Sequence, residues 1–356
     1  MQTRKQFLKN SLCIATGSTL FGIKRKADFM KTRVISSYLS FDLHCHPGRL
    51  FAHEGIDFGG VADAAKTINE MKTANLSGAF FTLVADSKLL IPGPTGISIS
   101  GKYALGEGWK EYKSQLKTMK DYLRFNSIHE TTNAYDLKQS SPMAAFLAVE
   151  GGDFLEGQVE KLDEAYKDGV RSIQLVHYAP NDLGDLQTSA SMHQGLSAFG
   201  KEVVRKMNKL GIVIDAAHAT YQTAKDMADL SDSPIMLSHS ILEMESDRPI
   251  AKRAISKEHA LVIAKTGGLI GAWPSGFNKS FEEYVDNTLR LVDVVGIDHV
   301  GMGTDMDGNF KPVLSSYSQY STFSEALRNK GLSHREVEKI MGGNALRLLK
   351  NVLKKN

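Results

Sequence analysis

The sequence predicts an α/β protein of the (β/α)8, TIM-barrel class, and two observations lead to this prediction. From residue 34 onward, short runs of β-forming residues alternate with amphipathic stretches of helical periodicity. Most of the short runs are almost continuously apolar, as expected of parallel strands that are buried on both faces. Eight such units in roughly 300 residues are typical of one closed barrel.

The eight predicted strands lie at residues 39–46, 77–84, 144–151, 170–178, 211–218, 235–240, 268–273 and 299–305. Amphipathic stretches at 196–210 and 280–294 predict helices between them, and residues 333–353 predict a final helical region. Residues 86–108 predict a long loop over the barrel mouth. A doubly wound open sheet is the alternative fold. No G-x-G-x-x-G motif follows the first strand, which disfavours the dinucleotide-binding version of that fold.

The distribution of charge argues against one class of partner. The chain of 356 residues has a formal net charge of +3, but residues 1–33 hold eight Lys or Arg and one acid, a net charge of +7. Residues 34–356 therefore carry a net charge of −4, which argues against a nucleic-acid partner. The chain has two cysteines, Cys13 and Cys45, so a disulfide framework in the folded body is excluded.

The N-terminal residues 1–33 resemble an export signal, and residues 34–356 are predicted to form the single folded domain. A basic start precedes a largely apolar run at 11–23, which is too short to span a membrane and suits a signal-peptide core. Residues 4–9, RKQFLK, resemble the bacterial twin-arginine signal, with Lys in place of the second Arg. We therefore expect export to the periplasm or cell envelope, without a transmembrane span. If this segment is only a basic tail, the protein stays in the cytoplasm.

Polar side chains cluster at the C-terminal ends of the predicted strands, the face at which barrel enzymes carry their active sites. In the stretch FDLHCHPGRL, two histidines separated by one residue lie on the same side of the first strand. Together with the ends of five further strands, the set comprises His44, His46, Glu150, His177, His218, His239 and Asp305. A single histidine at a strand end is usually structural, but five of them with two carboxylates predict a metal centre.

The predicted ligands are imidazoles and carboxylates, and the divalent metal that best suits this set is zinc. The set is larger than one ion needs, and a pair of ions requires a bridging carboxylate, for which Glu150 is the candidate. The other assigned ligands are His44 and His46, with Asp305 as a further candidate, for one ion, and His218 and His239 for the second ion.

From about residue 38 to about residue 350, the sequence resembles the membrane (renal-type) dipeptidase family, zinc peptidases with a (β/α)8 barrel. The resemblance is strongest in the second half of the chain. Its motifs are VEGG at 149–152, VHYAPNDLGD at 176–185, GLSAFGKEVVRKMNKLGIVIDAAH at 195–218, SHS at 238–240, GMGTDMDG at 301–308 and GGNALRLL at 342–349. The first strand departs from the family, which usually has His-x-Asp where this chain has His44-Cys45-His46.

The resemblance implies hydrolysis of dipeptides or short amides by a hydroxide that bridges two metal ions. It implies that Glu150 is the bridging ligand and that His177 contacts the substrate and stabilises the oxyanion. It implies that Asp305 binds substrate and moves a proton to the leaving amine. Arg253 best fits the family arginine that binds the substrate carboxylate, and Arg248 is an alternative. Family members are often dimers, so a homodimer is open, as are the substrate side chains and their stereochemistry.

Two alternative functions are kept. The first is another amidohydrolase-type reaction, by a deaminase, a lactonase or an N-acyl amino acid hydrolase, which His-x-His on the first strand favours. The absence of a clear lysine bridge on the fourth strand disfavours the branch that uses a carbamylated lysine. The second is a non-catalytic metal-binding or peptide-binding protein, which the complete ligand set and the presence of Asp305 disfavour.

Three residues near the predicted site have less specific interpretations. Asp42 either orients a ligand histidine or is an ordinary buried strand acid with a backbone partner. Asp307 is expected to shape the loop after the eighth strand through local hydrogen bonds, with a catalytic part as the alternative. Trp273 is expected to pack rather than to bind substrate.

Overall fold

The computed structural model describes residues 38–49, 63–93, 96–139, 142–244 and 252–354. The predicted export signal and Arg248 lie outside the described residues, so the expectations about them stay predictions. In the described part of the chain, no helix is both long enough and apolar enough to cross a membrane.

Strands occur at all eight predicted places. Those described are β1 (Phe41–Cys45), β2 (Gly78–Val84), β3 (Leu90–Gly93), β4 (Gly96–Ile99), β5 (His129–Glu130), β6 (Ala144–Glu150), β7 (Val170–Gln174), β8 (Val213–Asp215), β9 (Met236–Ser240), β10 (Leu269–Ala272) and β11 (Val300–Met302). Eight of them pair in parallel in the order β1-β2-β6-β7-β8-β9-β10-β11, and β11 pairs with β1. The predicted (β/α)8 barrel is confirmed.

Helices fill the connections between the barrel strands. They are α1 (Ala64–Thr73), α2 (Glu107–Phe125), α3 (Lys161–Lys167), α4 (Ala198–Leu210), α5 (Tyr221–Leu230), α6 (Lys257–Lys265), α7 (Phe281–Val295), α8 (Tyr320–Asn329), α9 (His334–Glu338) and α10 (Asn344–Val352). Many begin at a side chain that accepts a backbone N–H of the first turn, as Ser197 does at α4 and Thr220 at α5. Such N-caps satisfy donors that the helix itself leaves unpaired.

The prediction of a long loop over residues 86–108 was wrong in part. Strands β3 and β4 form an antiparallel hairpin there, with Leu90 opposite Ile99, and α2 begins at Glu107. The sequence LIPGPTGISI has β-forming residues on both sides of a Pro- and Gly-rich turn, which is a hairpin pattern. The hairpin does lie at the barrel mouth, because Leu90 and Ile97 line the cavity described below.

The N-terminal end of the barrel is closed by the last helices. A π-helical turn at Lys339–Gly343 joins α9 to α10. There, a Cβ on Gly342 would lie 2.7 Å from the carbonyl oxygen of Leu39, so only glycine permits this close approach. The apolar face of α10 then packs into one cluster with barrel residues such as Phe41 and Phe146. The closed end leaves the opposite end, where the strands terminate in polar residues, open to solvent.

A buried histidine in α6 gives a prediction about stability. His259 is 3 % exposed, and its Nε2 atom has no hydrogen-bond partner among the described residues. Burial lowers the pKa of His259 to about 4. Below its ordinary pKa of ~6.5, the unfolded chain binds a proton that the folded chain does not, so the free energy of unfolding falls as pH falls. We expect this histidine to cost about 2 kcal/mol of stability between pH 7 and pH 5.

The measurement is urea unfolding of the wild type and of His259→Leu across that pH range. Between pH 7 and pH 5, the free energy of unfolding of His259→Leu should fall by about 2 kcal/mol less than that of the wild type. His334→Gln changes an exposed histidine and should follow the wild type. Parallel pH profiles for the wild type and His259→Leu would contradict the prediction.

Candidate metal centre and active site

Glu150, the last residue of β6, lies between two pairs of histidines. Its Oε2 atom is 3.5 Å from His44 Nε2 and 3.4 Å from His46 Nε2. Its Oε1 atom is 3.4 Å from His218 Nε2 and 3.9 Å from His239 Nε2. All five side chains are buried. The single carboxylate therefore presents one oxygen to each pair of imidazoles.

Within each pair, the imidazoles converge through the same ring atom. The Nε2 atoms of His44 and His46 are 3.0 Å apart, and those of His218 and His239 are 3.2 Å apart. Two nitrogens that each lie ~2.0–2.1 Å from a tetrahedral zinc ion are about 3.3 Å apart. Each pair forms with Glu150 a group of three side chains whose donor atoms lie within 4.8 Å of one another. The donor set thus fits a divalent ion on each side of the carboxylate.

Three of the four histidines, His44, His46 and His239, have a partner for the opposite ring nitrogen, Nδ1. The Nδ1 atom of His46 is 3.0 Å from the carbonyl oxygen of Thr82, which can only accept, so Nδ1 carries the proton. The Ser238 hydroxyl lies 3.3 Å from His44 Nδ1 and 3.0 Å from His239 Nδ1, and it links one histidine of each pair. In a neutral imidazole with its proton on Nδ1, the lone pair is on Nε2, as metal ligation requires.

The charges at the centre favour a cation next to Glu150. Burial opposes ionisation of Glu150, but the imidazoles of His177 and His44 hold its pKa well below the usual range. Burial likewise opposes protonation of His46, yet the carboxylates of Asp305 and Glu150 raise its pKa to about 10. The two carboxylates therefore favour positive charge at His46, and a divalent ion supplies such charge in place of a proton.

His177 follows β7 and approaches the same carboxylate from another side. Its Nε2 atom is 3.5 Å from Glu150 Oε1, and its Nδ1 atom is 2.7 Å from Asp86 Oδ1. Burial opposes protonation of His177, but the charges of Asp86 and Glu150 raise its pKa. Sequence reasoning missed Asp86 because it assigned the residue to a loop. Its position two residues after β2 matches the strand-end rule that found the other residues.

Asp305 follows β11 and lies on the side of the first histidine pair. Its Oδ1 atom is 3.4 Å from His46 Nε2, and its backbone N–H donates to the His44 carbonyl oxygen at 2.9 Å. Asp305 has a positive φ of 52°, which turns the chain sharply after the strand. The structure thus places Asp305 within reach of the first pair, where it can serve a metal ion or a substrate.

Two further aspartates support this part of the site. The buried carboxylate of Asp42 accepts the backbone N–H groups of His44 at 3.2 Å and Thr304 at 2.9 Å, and the Tyr317 hydroxyl at 2.8 Å. Asp42 therefore joins β1 to the end of β11 through the backbone of His44 rather than through its ring. Asp307 accepts from the Gly48 N–H and the Thr67 hydroxyl, both at 2.7 Å, so it holds the loop after β11 through residues distant in sequence rather than through the expected local hydrogen bonds.

A cavity that opens to solvent lies over the centre and is lined by His46, Glu150 and His218. Arg253 and Trp273 line it, together with His177 and Asp305. Arg253 is buried, donates through Nη1 to the Gln187 amide oxygen, and lies with its guanidinium carbon 5.4 Å from the Trp273 ring centre. Trp273 packs against Ile241, as predicted, but it also faces the cavity.

Two residues of the cavity wall each have a buried donor that lacks an acceptor in the described part of the chain. Arg253 Nε and Trp273 Nε1 are buried, and neither has a hydrogen-bond partner among the described residues. Buried donors are nearly always paired, so both favour a ligand that supplies acceptor atoms.

Residues 30–356 match the membrane dipeptidase family, peptidase family M19, and the chain belongs to this family. The resemblance noted in the sequence is confirmed. Dipeptidase tcpJ of Claviceps purpurea is 30% identical over 238 residues, which are 64% of this chain and 56% of that protein. Dipeptidase 3 of Mus musculus is 27% identical over 241 residues, 64% of this chain and 48% of that protein. The chain spans about half the length of these curated relatives.

Solved structures share the fold. A metallo peptidase from Rhodobacter sphaeroides, liganded with a phosphinate mimic of the dipeptide L-Ala-D-Ala, is 19% identical with a TM-score of 0.73. The alignment covers 88% of this chain and 99% of that one. The probable dipeptidase PvdM from Pseudomonas aeruginosa is 21% identical with a TM-score of 0.72, over 89% of this chain and 96% of that one. At such identities the likeness supports the barrel fold alone.

Proposed function

We propose that this protein is a metal-dependent dipeptidase that uses two divalent ions, with Zn²⁺ as the first candidate for the metal. The observation that carries the proposal is the position of Glu150, with one oxygen toward each histidine pair. His44 and His46 would hold one ion and His218 and His239 the second, with Glu150 shared between them. When bound, such ions lower the pKa of a shared water and polarise the carbonyl to be attacked.

Two residues of the chain are assigned the other catalytic roles, stabilisation of the oxyanion and transfer of a proton to the leaving nitrogen. His177 directs Nε2 toward Glu150 and the cavity. Because Nδ1 donates to Asp86, Nε2 carries a proton only in the imidazolium form, which the raised pKa of His177 favours, and in that form it can donate to the oxyanion that develops during attack on the carbonyl. Asp305 lies at the cavity wall beside the first histidine pair, where it can take a proton and pass it to the leaving nitrogen. We propose these two roles on position and chemistry, together with the family to which the chain belongs.

Arg253 and Trp273 would bind the free carboxylate of the substrate. A carboxylate supplies acceptors to the unpartnered Arg253 Nε and Trp273 Nε1 groups, and a guanidinium recognises its planar geometry. An anchor of this kind inside a small cavity restricts substrates to short peptides with a free C-terminus.

The carboxylate role predicts a change in selectivity for Arg253→Met. The wild type should cleave a dipeptide far faster than the same dipeptide amidated at its C-terminus. The variant should lose about 10- to 100-fold in kcat/KM on the free acid, mainly through KM, because a hydrogen bond to a charged group contributes ~1.5–3 kcal/mol. Its activity on the amide should change little.

Trp273→Phe serves as a companion variant, because it keeps the ring and removes only the N–H donor. It should shift the same ratio of acid to amide cleavage in the same direction and by a smaller factor. If Arg253→Met slows both substrates equally, the arginine does not read the carboxylate.

The direct test is hydrolysis of a panel of L-L and L-D dipeptides by the metal-loaded protein, with metal content measured by elemental analysis. Two zinc-like ions per chain and release of free amino acids would support the proposal. Two ions without cleavage of any dipeptide would contradict it.

A second candidate is another amidohydrolase-type reaction, on lactones or acylated amines, and His46 favours it. An imidazole in place of the family's carboxylate leaves the first ion with one more unit of net positive charge. Cleavage of these compounds, with inert dipeptides, would establish this alternative. Tight metal binding without turnover of any panel member would instead indicate a binding protein.

A further inference from the structure

Asp86 is a fully buried carboxylate at the active site that is neither a proposed metal ligand nor a residue with an assigned catalytic role. Its Oδ1 atom accepts from His177 Nδ1 at 2.7 Å. Its Oδ2 atom accepts the backbone N–H groups of Tyr178 at 3.1 Å and Ala179 at 2.9 Å. Both oxygens are therefore occupied by His177 or by the two residues that follow it.

The backbone around Asp86 makes this contact specific. The N–H of Ala85 donates to the Glu150 carbonyl oxygen at 2.8 Å, so the end of β2 is held beside the end of β6. Asp86 then precedes a 3-10 turn at Ser87–Leu89, where an aspartate commonly caps the turn with its own side chain. Asp86 makes no such cap and reaches across to His177 instead.

We propose that Asp86 is a positioning residue for His177, whose ring it holds by Nδ1 so that Nε2 faces Glu150 and the cavity. An imidazole can otherwise rotate about its side-chain bonds and exchange its two nitrogens. A carboxylate that accepts from Nδ1 selects one orientation, and the two backbone N–H groups keep that carboxylate from turning. The significance for catalysis rests on the proposed function, since His177 is there assigned to the oxyanion.

A purely structural role is the competing explanation, because Asp86 also ties two loops together. Asp185 offers a matched control. It is another buried aspartate, and it accepts backbone N–H groups from Met192 at 2.6 Å and His193 at 2.9 Å and the Ser191 hydroxyl at 2.7 Å. Its described hydrogen bonds do not involve His177, so it reports what the loss of a loop-holding carboxylate does by itself.

The kinetic test combines Asp86→Ala with His177→Ala on the metal-loaded full chain. We expect Asp86→Ala to lower kcat about 10- to 100-fold, with KM within about twofold of the wild type and unchanged metal content. In the His177→Ala background, Asp86→Ala should cause little further loss, because the two residues act as a unit. Any loss of activity caused by Asp185→Ala should be the same factor in the wild type and in the His177→Ala background. Additive losses for Asp86 and His177 would overturn the proposal.

Asp86→Asn is the second variant, in case Asp86→Ala does not fold. Asparagine has the same size but only one acceptor oxygen, so it cannot serve both the His177 ring and the backbone N–H groups. It should show the same dependence of kcat on His177. Wild-type kcat in folded Asp86→Asn would overturn the proposal.

A readout without catalysis separates this inference from the proposed function. With histidine labelled by nitrogen-15, the Nδ1 proton of His177 should give a low-field resonance, identified by its loss in His177→Ala. It should disappear or move strongly in Asp86→Asn and persist in Asp185→Ala. If the wild type cleaves no dipeptide but this pattern holds, the proposed function fails and the positioning stands. A resonance unchanged in Asp86→Asn refutes the positioning itself.

Discussion

Glu150→Gln is expected to remove catalysis and at least one of the two proposed metal ions. Glutamine offers one oxygen and one amide NH2 group, and the NH2 must face one of the two histidine pairs. That histidine pair then faces an N–H donor at the position where a metal ion needs an oxygen ligand. We expect kcat/KM for dipeptides to fall about 10³-fold or more, ~4 kcal/mol of activation free energy, and bound metal to fall from two ions per chain to at most one.

The measurement pairs dipeptide kinetics with elemental analysis of the same dialysed sample. Glu156→Gln is the matched control, because Glu156 accepts the backbone N–H groups of Gly106 and Gly108 and lies outside both histidine pairs. That variant should keep both ions even if it is less stable. If Glu150→Gln retains two ions and near-normal turnover, Glu150 is not the shared ligand and the assignment of the centre is wrong.

The barrel and its polar end could be predicted because each depends on short-range pattern. Apolar runs identified all eight barrel strands, and parallel strands of a barrel end at one face, so the residues at those ends converge whatever their separation in sequence. The structure accordingly brings Glu150 to within 4 Å of both His44 and His239. Their roles as ligands stay a prediction.

Sequence patterns did not identify three residues of the site, because their roles depend on contacts between strands that lie far apart in the sequence. Ser238 precedes a predicted ligand, yet its hydroxyl contacts His44 on a distant strand as well as His239. Gln174 donates to Glu150 Oε1 at 3.2 Å from the last position of β7, but the predicted strand ran to residue 178 and placed Gln174 in its middle. Asp86 was lost because the hairpin after it was interpreted as a loop. A strand-end rule applied to every predicted strand would have recovered Asp86 but neither of the others.

Asp305→Asn is expected to separate the two roles that the sequence left open for Asp305. As the group that moves a proton to the leaving nitrogen, Asp305 should contribute about 10²- to 10⁴-fold to kcat, and asparagine cannot carry that proton. Both ions should remain, because each histidine pair keeps Glu150. As a ligand of the first ion, Asp305 would instead be needed to hold that ion, since its Oδ1 atom lies 3.4 Å from His46 Nε2.

The comparison is with Asp307→Asn, two residues away, whose carboxylate holds the loop through Gly48 and Thr67. Metal content and kcat are measured for both variants, with His46→Ala as the reference for loss of the first ion. A large fall in kcat with two ions retained, in Asp305→Asn alone, supports proton transfer. Loss of one ion in Asp305→Asn, to the level of His46→Ala, would make Asp305 a ligand and leave the leaving nitrogen to be protonated by another group. An equal fall in kcat in Asp307→Asn would show that the loop, rather than the Asp305 carboxylate, is what catalysis requires.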